Sequence, residues 1–308
     1  MVRKLVMKNH EQGAHAVIGT GALGMSVARH LLAQGKEVVL VGRSAPQLDG
    51  ARSLRMDIRT SSDYLDGVAV AYQCAMPAYD RWIKEFEPLQ AGVLAAAARA
   101  RSRVVLADNL YALGDGGGVI SDESPIAPLS RKGELRARMA ESALAEHAAG
   151  RVQVALTRPS NYVGGGYGQF QGDVPARALA GKPMRFLGSL DVPHSYSYVP
   201  DAARAMVAIG TGEAGWGRAW VTPTLPPLTQ RELGRIVWEA AGRTDDPRYT
   251  AMGKGTARAL GVAIPKLGAL VEMWYEFDSP YIVDSSAFTA EFGIAATPLT
   301  EVAAALVA

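Results

Sequence analysis

The residues with the clearest chemical purpose are three glycines. The run AVIGTGALGMSVARHLL sets Gly19, Gly21 and Gly24 in a G-x-G-x-x-G pattern between an apolar strand and a helix. Such a pattern gives each glycine a task. The first makes the tight turn, the second lets the backbone approach a pyrophosphate, and the third allows close helix–strand packing, with the helix N-terminus facing the anion. Thr20, Ala22 and Leu23 complete the turn and join the glycines as candidate cofactor contacts. A lone G-x-G-x-x-G is weak, but here the right strand precedes it and the right helix follows.

A second position bears on which dinucleotide. A chain reading the ribose 2′-hydroxyl of NAD usually places an acid at the end of the second strand. This chain has VVLVGRS there, so Gly42 stands near the expected acid and Arg43 and Ser44 follow it. Arg43 suits charge-assisted bonds to a 2′-phosphate, which points to NADPH rather than NADH. The plainer reading of Arg43 is a solvated loop arginine.

These residues need strands and helices in alternation to hold them, and the first 150 residues supply that alternation. Strand-like runs fall at His15 to Ile18, Glu37 to Val41, Leu54 to Ile58, Val68 to Cys74, Arg103 to Ala107 and Val152 to Thr157. Helical runs fall at Met25 to Gln34, Tyr79 to Arg101 and Arg131 to His147. The spacing predicts an α/β fold: a Rossmann-type, doubly wound parallel sheet with a smaller C-terminal substrate-binding lobe. The expected boundaries are 1–159 for an NADP-binding Rossmann domain, with a strand from the 195–222 region interleaved, and 160–308 mainly for the lobe. The lobe shows a short strand at Ser195 to Val199 and another run at Trp220 to Thr222. Its helices are expected near Pro175 to Ala180, Asp201 to Ile209, Thr229 to Ala241, Pro265 to Phe277 and Thr300 to Val307. No clean linker separates the parts, so one shared core is expected.

Composition narrows the function classes. The 308 residues carry a net charge of +2 with no long run of one sign, so neither a nucleic-acid groove nor a membrane patch is indicated. Cys74 is the one cysteine, which excludes an intrachain disulfide, and no Cys/His cluster suggests a metal. The basic N-terminus lacks a continuous apolar stretch and does not read as a signal peptide. No run reaches transmembrane length. The expected setting is the cytoplasm.

Several motifs resemble the extended short-chain dehydrogenases/reductases, the NAD-dependent epimerase/dehydratase type, over roughly residues 14 to 305. MDI resembles that family's adenine-contacting pair, which implies cofactor contacts at Asp57 and Ile58. CAMP resembles its cofactor-flanking loop, which implies Cys74, Ala75, Met76 and Pro77. TRPSNYVG resembles its segment after the sixth strand, which implies Pro159, Ser160 and Asn161. VVLADNLYALG and HSYSYVPDAARAMV resemble two further family segments.

The departures bear on mechanism. The family catalyses with a Ser/Thr and a Tyr-x-x-x-Lys pair. Here Asn109 stands at the Ser/Thr position, and aligning on Gly133 puts Lys132 at the tyrosine and Arg136 at the lysine. No tyrosine lies between Tyr111 and Tyr162. The chain is therefore similar to atypical extended members, among them the ketoreductases that tailor aromatic polyketides such as angucyclinones in antibiotic biosynthesis. That resemblance implies an NADPH-dependent ketoreductase acting on an aromatic small molecule as a monomer or homodimer. Three proton sources stand open: Lys132, Tyr111, and a hydroxyl of the substrate itself. The plainer readings are a solvated Lys132 and a Tyr111 packed at a strand tip. Asn109 keeps a donor for the carbonyl oxygen. Arg136 either holds the ribose or lies on the outer helix face. Tyr162, Tyr167, Phe170, Phe186, His194, Tyr196, Tyr198, Met273, Trp274 and Phe277 would form an aromatic wall, or ordinary core. A non-catalytic NADP(H)-binding regulator and a nucleotide-sugar epimerase are the alternatives. The epimerase fits least, because reversible oxidation there uses the missing tyrosine.

Overall fold

A computed structural model describes residues 13–44, 46–164 and 173–308. They divide into two compact units of nearly equal length. The first comprises the chain up to Asn109, Leu135–Arg158 and Ala202–Trp220. The second comprises Leu110–Glu134, Pro159–Asp201 and Val221–Ala308. The second unit is thus not a smaller appendage. Residues 110–134, placed in the first domain by the sequence boundary, cluster with the second. Each unit has a core of its own.

The first unit is built on β1 (Ala14–Ile18), α1 (Ala22–Ala33), β2 (Val38–Gly42), β3 (Ala51–Arg55), β4 (Val68–Gln73), α2 (Trp82–Ala100), β5 (Arg103–Ala107), α3 (Arg131–Ala148), β6 (Val154–Arg158), α4 (Val199–Thr211) and β7 (Ala219–Val221). The strands form one sheet in the order β7-β6-β5-β4-β1-β2-β3, and every pairing from β3 through β6 is parallel. This is the Rossmann-type order, with its switch point between β1 and β4. Strands β1 and β4 are buried along their whole length, which is why they read as unbroken apolar runs. Strand β3 sits three residues earlier than the sequence placed it. It is an exposed edge strand, so no inward face marks its limits. Register brings Ile18 opposite Val41 and Gln73, and Gln73 opposite Leu106. The carboxyl ends of β1, β2, β4 and β5 therefore share one edge, where ligands of such sheets bind.

In the second unit, Asn161–Val163 pairs in parallel with Tyr196–Tyr198, and Met184–Leu187 pairs with Tyr249–Met252. Helix Gln230–Ala240 starts on a capping box. Thr229 Oγ1 accepts from Glu232 N at 3.1 Å, and Glu232 Oε2 accepts from Thr229 N at 2.8 Å. The helix expected over Pro265 to Phe277 is broken into Pro265–Leu270, a 3₁₀ turn Val271–Met273 and Tyr275–Asp278. Among the described residues no helix is long and apolar enough to cross a membrane.

Candidate functional site

The glycine turn fits a pyrophosphate residue by residue. Gly19 has φ +95°, and a Cβ there would meet Ala75 N at 2.5 Å. A Cβ on Gly24 would meet Gly19 O at 1.9 Å, so helix α1 packs on the turn only without a side chain. A Cβ on Gly21 would meet nothing within 4 Å among the described residues. That open cradle sits at the N-cap of α1, whose first turn holds no acid and whose cap makes no side-chain hydrogen bond. Unpaired N–H groups and the helix dipole there suit an anion. Ala75 brings the Cys74–Pro77 segment against the turn. The Cys74 thiol is pushed up to about 12 by burial and is not a nucleophile at neutral pH.

At the end of β2, Thr20 Oγ1 lies 3.3 Å from Ser44 Oγ. Arg43 is exposed, and its carbonyl accepts from Arg55 Nε at 3.0 Å. Arg55 is thus a second cation beside Arg43, which sequence reasoning missed; the basic run ARSLRMDIR was the available signal. Asp57 is held by Arg59 through Nε at 2.9 Å and Nη2 at 2.6 Å, and this bond depresses its carboxyl to about 2. Its neighbour Ile58 packs partly buried on the first unit's core.

Asn109 follows β5 at the same edge. Directly before it, Asp108 is buried between two arginines. Arg158 Nε donates to Oδ2 at 2.8 Å, and Arg136 Nε donates to Oδ1 at 2.8 Å and Nη2 to the Ala107 carbonyl at 3.0 Å. Burial raises the Asp108 carboxyl, but the two guanidinium groups outweigh it and hold it below the usual carboxylate range. Arg136 is not on the outer helix face. Its guanidinium lies 4.6 Å from the Phe86 ring centroid, and Nη1 is its one buried nitrogen without a hydrogen-bond partner.

The remaining candidates lie in the second unit. Lys132 is buried, not solvated. Its Nζ donates to the Ala269 carbonyl at 2.7 Å and pairs with Glu272. The same Glu272 accepts from Arg131 N at 2.9 Å, so one carboxylate caps helix α3 and holds the lysine. Tyr111 opens a 3₁₀ turn, half-buried. Pro159 precedes Ser160, whose hydroxyl donates to the Ser195 carbonyl at 2.6 Å and whose N–H donates to Ser197 Oγ at 3.0 Å. Those bonds fix the strand carrying Asn161 beside the one following His194.

Asn161 organises a cluster that sequence reasoning did not assemble. Its Nδ2 donates to His194 Nε2 at 3.2 Å and to Glu276 Oε2 at 3.3 Å. His194 Nδ1 lies 3.1 Å from the Glu276 carbonyl and donates to it, so the network assigns a neutral imidazole protonated on Nδ1. Burial lowers His194 to about 4, which agrees with that assignment. Burial raises Glu276 to about 8, against the pull of Asn161 and Tyr281. The carboxyl is therefore mostly protonated at neutral pH. Tyr281 influences this ionisation, yet neither its hydroxyl nor Glu276 Oε1 completes a hydrogen bond of normal geometry. An unsatisfied buried polar group costs about 1–3 kcal/mol. A small cleft is lined here by Val192, His194, Tyr196, Gln230, Glu276 and Phe277. Of the expected aromatic wall, Phe186, Met273 and Trp274 are core, while Tyr167 and Phe170 lie outside the described residues. Glu276 was legible as the one charge within the apolar run MWYEF.

A family model described as the NAD dependent epimerase/dehydratase family matches residues 17–219. No curated protein sequence matches the chain. Among solved structures, MoeE5 in complex with UDP-glucose and NAD is 20% identical, with TM-score 0.76 and 96% and 97% of the two chains covered. A DesIV double mutant, a dTDP-glucose 4,6-dehydratase from Streptomyces venezuelae, is 21% identical, with TM-score 0.75 and 95% of each chain covered. The UDP-glucose 4-epimerase of Thermotoga maritima is 16% identical, with TM-score 0.75 and 95% and 97% covered.

Proposed function

The chain belongs to the NAD dependent epimerase/dehydratase family, and from that premise we propose that it is an NADPH-dependent ketoreductase. Its substrate in this reading is a carbonyl of an aromatic, polyketide-like small molecule, and the overall pattern resembles the angucyclinone ketoreductase of simocyclinone biosynthesis. The reading carries with it a cytoplasmic role in antibiotic biosynthesis, by a monomer or homodimer. The observation that carries it is double: the cradle at Gly21 ends beside Arg43, Ser44 and Arg55 with no acid at the end of β2, and no tyrosine stands between Tyr111 and Tyr162.

NADPH, when bound, supplies the hydride. Gly19, Gly21 and Gly24 with the first turn of α1 hold the pyrophosphate, and Arg43 with Arg55 takes the 2′-phosphate. The Asn109 amide donates to the carbonyl oxygen. Lys132 is committed to Glu272 and the Ala269 carbonyl, which favours the substrate's own neighbouring hydroxyl as the proton source. Being tethered to the reacting centre, that hydroxyl costs little positioning entropy. Arg136 serves by holding Asp108 next to Asn109.

Calorimetric titration with both cofactors tests the assignment. NADPH should bind far more tightly than NADH, and Arg43→Ala should weaken NADPH alone by about 1.5–3 kcal/mol. Equal affinities in the parent would sink it. Lys132→Ala and Tyr111→Phe should each keep at least about a tenth of kcat on a hydroxylated aromatic ketone, against the ~10²–10⁴-fold expected of a general acid. A non-catalytic regulator would bind NADPH and consume none. The likeness in fold to MoeE5 in complex with UDP-glucose favours one second reading, a nucleotide-sugar epimerase. Conversion of UDP-glucose to UDP-galactose, with ketones left untouched, would establish it over the reductase.

A further inference from the structure

The second unit carries a helical hairpin, Lys254–Gly261 and Pro265–Leu270, whose turn is apolar and open to water. Val262, in the turn, is 90% exposed, the most of any large aliphatic side chain among the described residues, and Leu260 and Ile264 beside it are exposed too. The hairpin is anchored from its other side. Ala257 and Leu270 are buried, and the two helices touch at glycines, where a Cβ on Gly261 would meet Gly268 Cα at 2.6 Å. That close crossing leaves no space between the helices for the turn's side chains. The backbone of the turn is satisfied internally. The Leu260 carbonyl accepts from Ala263 N and Ile264 N, both at 3.0 Å, and the Ile264 carbonyl accepts from Leu267 N at 2.9 Å. Pro265 has no N–H to satisfy. A turn with its N–H groups already paired loses little when water is removed around it.

Charge of one sign surrounds this turn. From Arg248 to Val271 the chain holds Arg248, Lys254, Arg258 and Lys266 and no acid. Lys254, Arg258 and Val262 follow one another at helical i, i+4 spacing, so a row of cations leads into the turn. Lys254, Arg258 and Lys266 are exposed, and none makes an ion pair with another described residue. The net charge of +2 over the whole chain conceals this local excess. A second exposed aliphatic set, Val119, Ile126 and Leu129, has the reverse setting: Asp115, Asp122 and Glu123 are its neighbours in sequence, with no cation between Asp115 and Leu129.

We propose that the hairpin docks the protein on an anionic lipid bilayer, with Leu260, Val262 and Ile264 entering the acyl boundary and Lys254, Arg258 and Lys266 against the headgroup phosphates. Apolar side chains at the tip with cations behind them are what an anionic interface binds. A second copy of the chain is disfavoured, because two such turns brought together oppose like charges. An acidic protein would match the charge but would find none of the aromatic anchors on which protein interfaces concentrate their energy, since residues 253–270 include no Phe, Tyr or Trp. One turn of this size gives reversible, salt-sensitive attachment. None of these side chains is assigned to cofactor or substrate, so docking and the reductase reading stand or fall separately.

The test is co-sedimentation of the full chain with vesicles. Phosphatidylglycerol and phosphatidylcholine in about equal parts should retain it at least about tenfold better than phosphatidylcholine alone, and added salt should release it. Val262→Glu alters an exposed side chain, so the urea midpoint should hold while vesicle affinity falls at least about tenfold. Lys254→Glu combined with Arg258→Glu should lose about as much, which keeps the test open should Val262→Glu fail to fold. Ile126→Glu, in the acidic set, should lose nothing. A chain that ignores vesicles, binds both compositions alike, or binds undiminished after either change at the hairpin would overturn the proposal. Displacement by glycerol phosphate at matched ionic strength would make this a site for a soluble phosphate. Retention on polyglutamate with none on vesicles would make it an acidic-protein surface. Either result would overturn the bilayer as the partner.

Discussion

In the first unit Asp108 lies buried between Arg136 and Arg158, and full charges offset one another. In the second, Glu276 lies as deep with no cation among the groups acting on it, and it meets the same desolvation by keeping its proton. Both arrangements answer one physical demand, that an isolated charge not be stranded in a low-dielectric interior. They differ in what holds the carboxyl. The paired carboxylate uses both oxygens and fixes the carboxyl end of β5. The neutral acid is held instead by uncharged neighbours, Asn161 and Tyr281. A closed ion cluster keeps its charges over a wide pH range, whereas a neutral acid keeps its arrangement only while it holds its proton.

The strongest way to break this contrast is Asp108→Ala, which strands two arginines. It should cost about 3–5 kcal/mol of unfolding free energy, read by urea denaturation. A loss under about 1 kcal/mol would mean the arginines find water and the cluster is not closed.

Close to it in size is the pH dependence of Glu276. Its folded value, about 8, lies above its ordinary 4.5. The stability it contributes is therefore full below 4.5 and is lost as pH rises through 8, about 4–5 kcal/mol in all. Unfolding curves of the parent and Glu276→Gln across that window should converge at acid pH and separate at alkaline pH, with the variant the more stable. Parallel curves would place Glu276 among ordinary carboxylates.

The smallest effect sharpens the comparison, because each unit also buries one histidine. His15 donates to or accepts from the Tyr72 hydroxyl at 3.0 Å, and burial lowers both His15 and His194 to about 4. With folded values below the ordinary 6.5, their contribution is full above 6.5 and lost as pH falls through 4. His15→Gln and His194→Gln should each remove roughly 3 kcal/mol of the acid-side loss. An acid limb that responds to one substitution and not the other would show that the two interiors admit protons unequally.

Much of the first unit was legible because its signals are local. Strand β5 begins and ends where the apolar run does, at Arg103 and Ala107, and the glycine turn announces strand, turn and helix within a few residues. Strand β3 was misplaced because an exposed edge strand carries no inward face to read. In the second unit the decisive partners are distant in sequence. Lys132 looked like one charge in a charged helix, since the carboxylate that pairs with it, Glu272, lies 140 residues on. The late helix breaks where that same region turns to reach the start of α3. Asn161, His194 and Glu276 come from three separate segments, so no spacing rule joins them.

The three glycines of the turn answer to different selective pressures. Gly24 is required by the fold itself, since any side chain there would collide with the Gly19 carbonyl, and Gly19 is held by its positive φ and by Ala75. Gly21 is not required by any described neighbour, since a Cβ there would meet nothing within 4 Å among the described residues. A lineage that stopped binding dinucleotides would keep the first and third glycines and let the second drift. In a set of descendants, the middle glycine alone would record when the ligand was lost, while the motif as a whole still looked nearly intact.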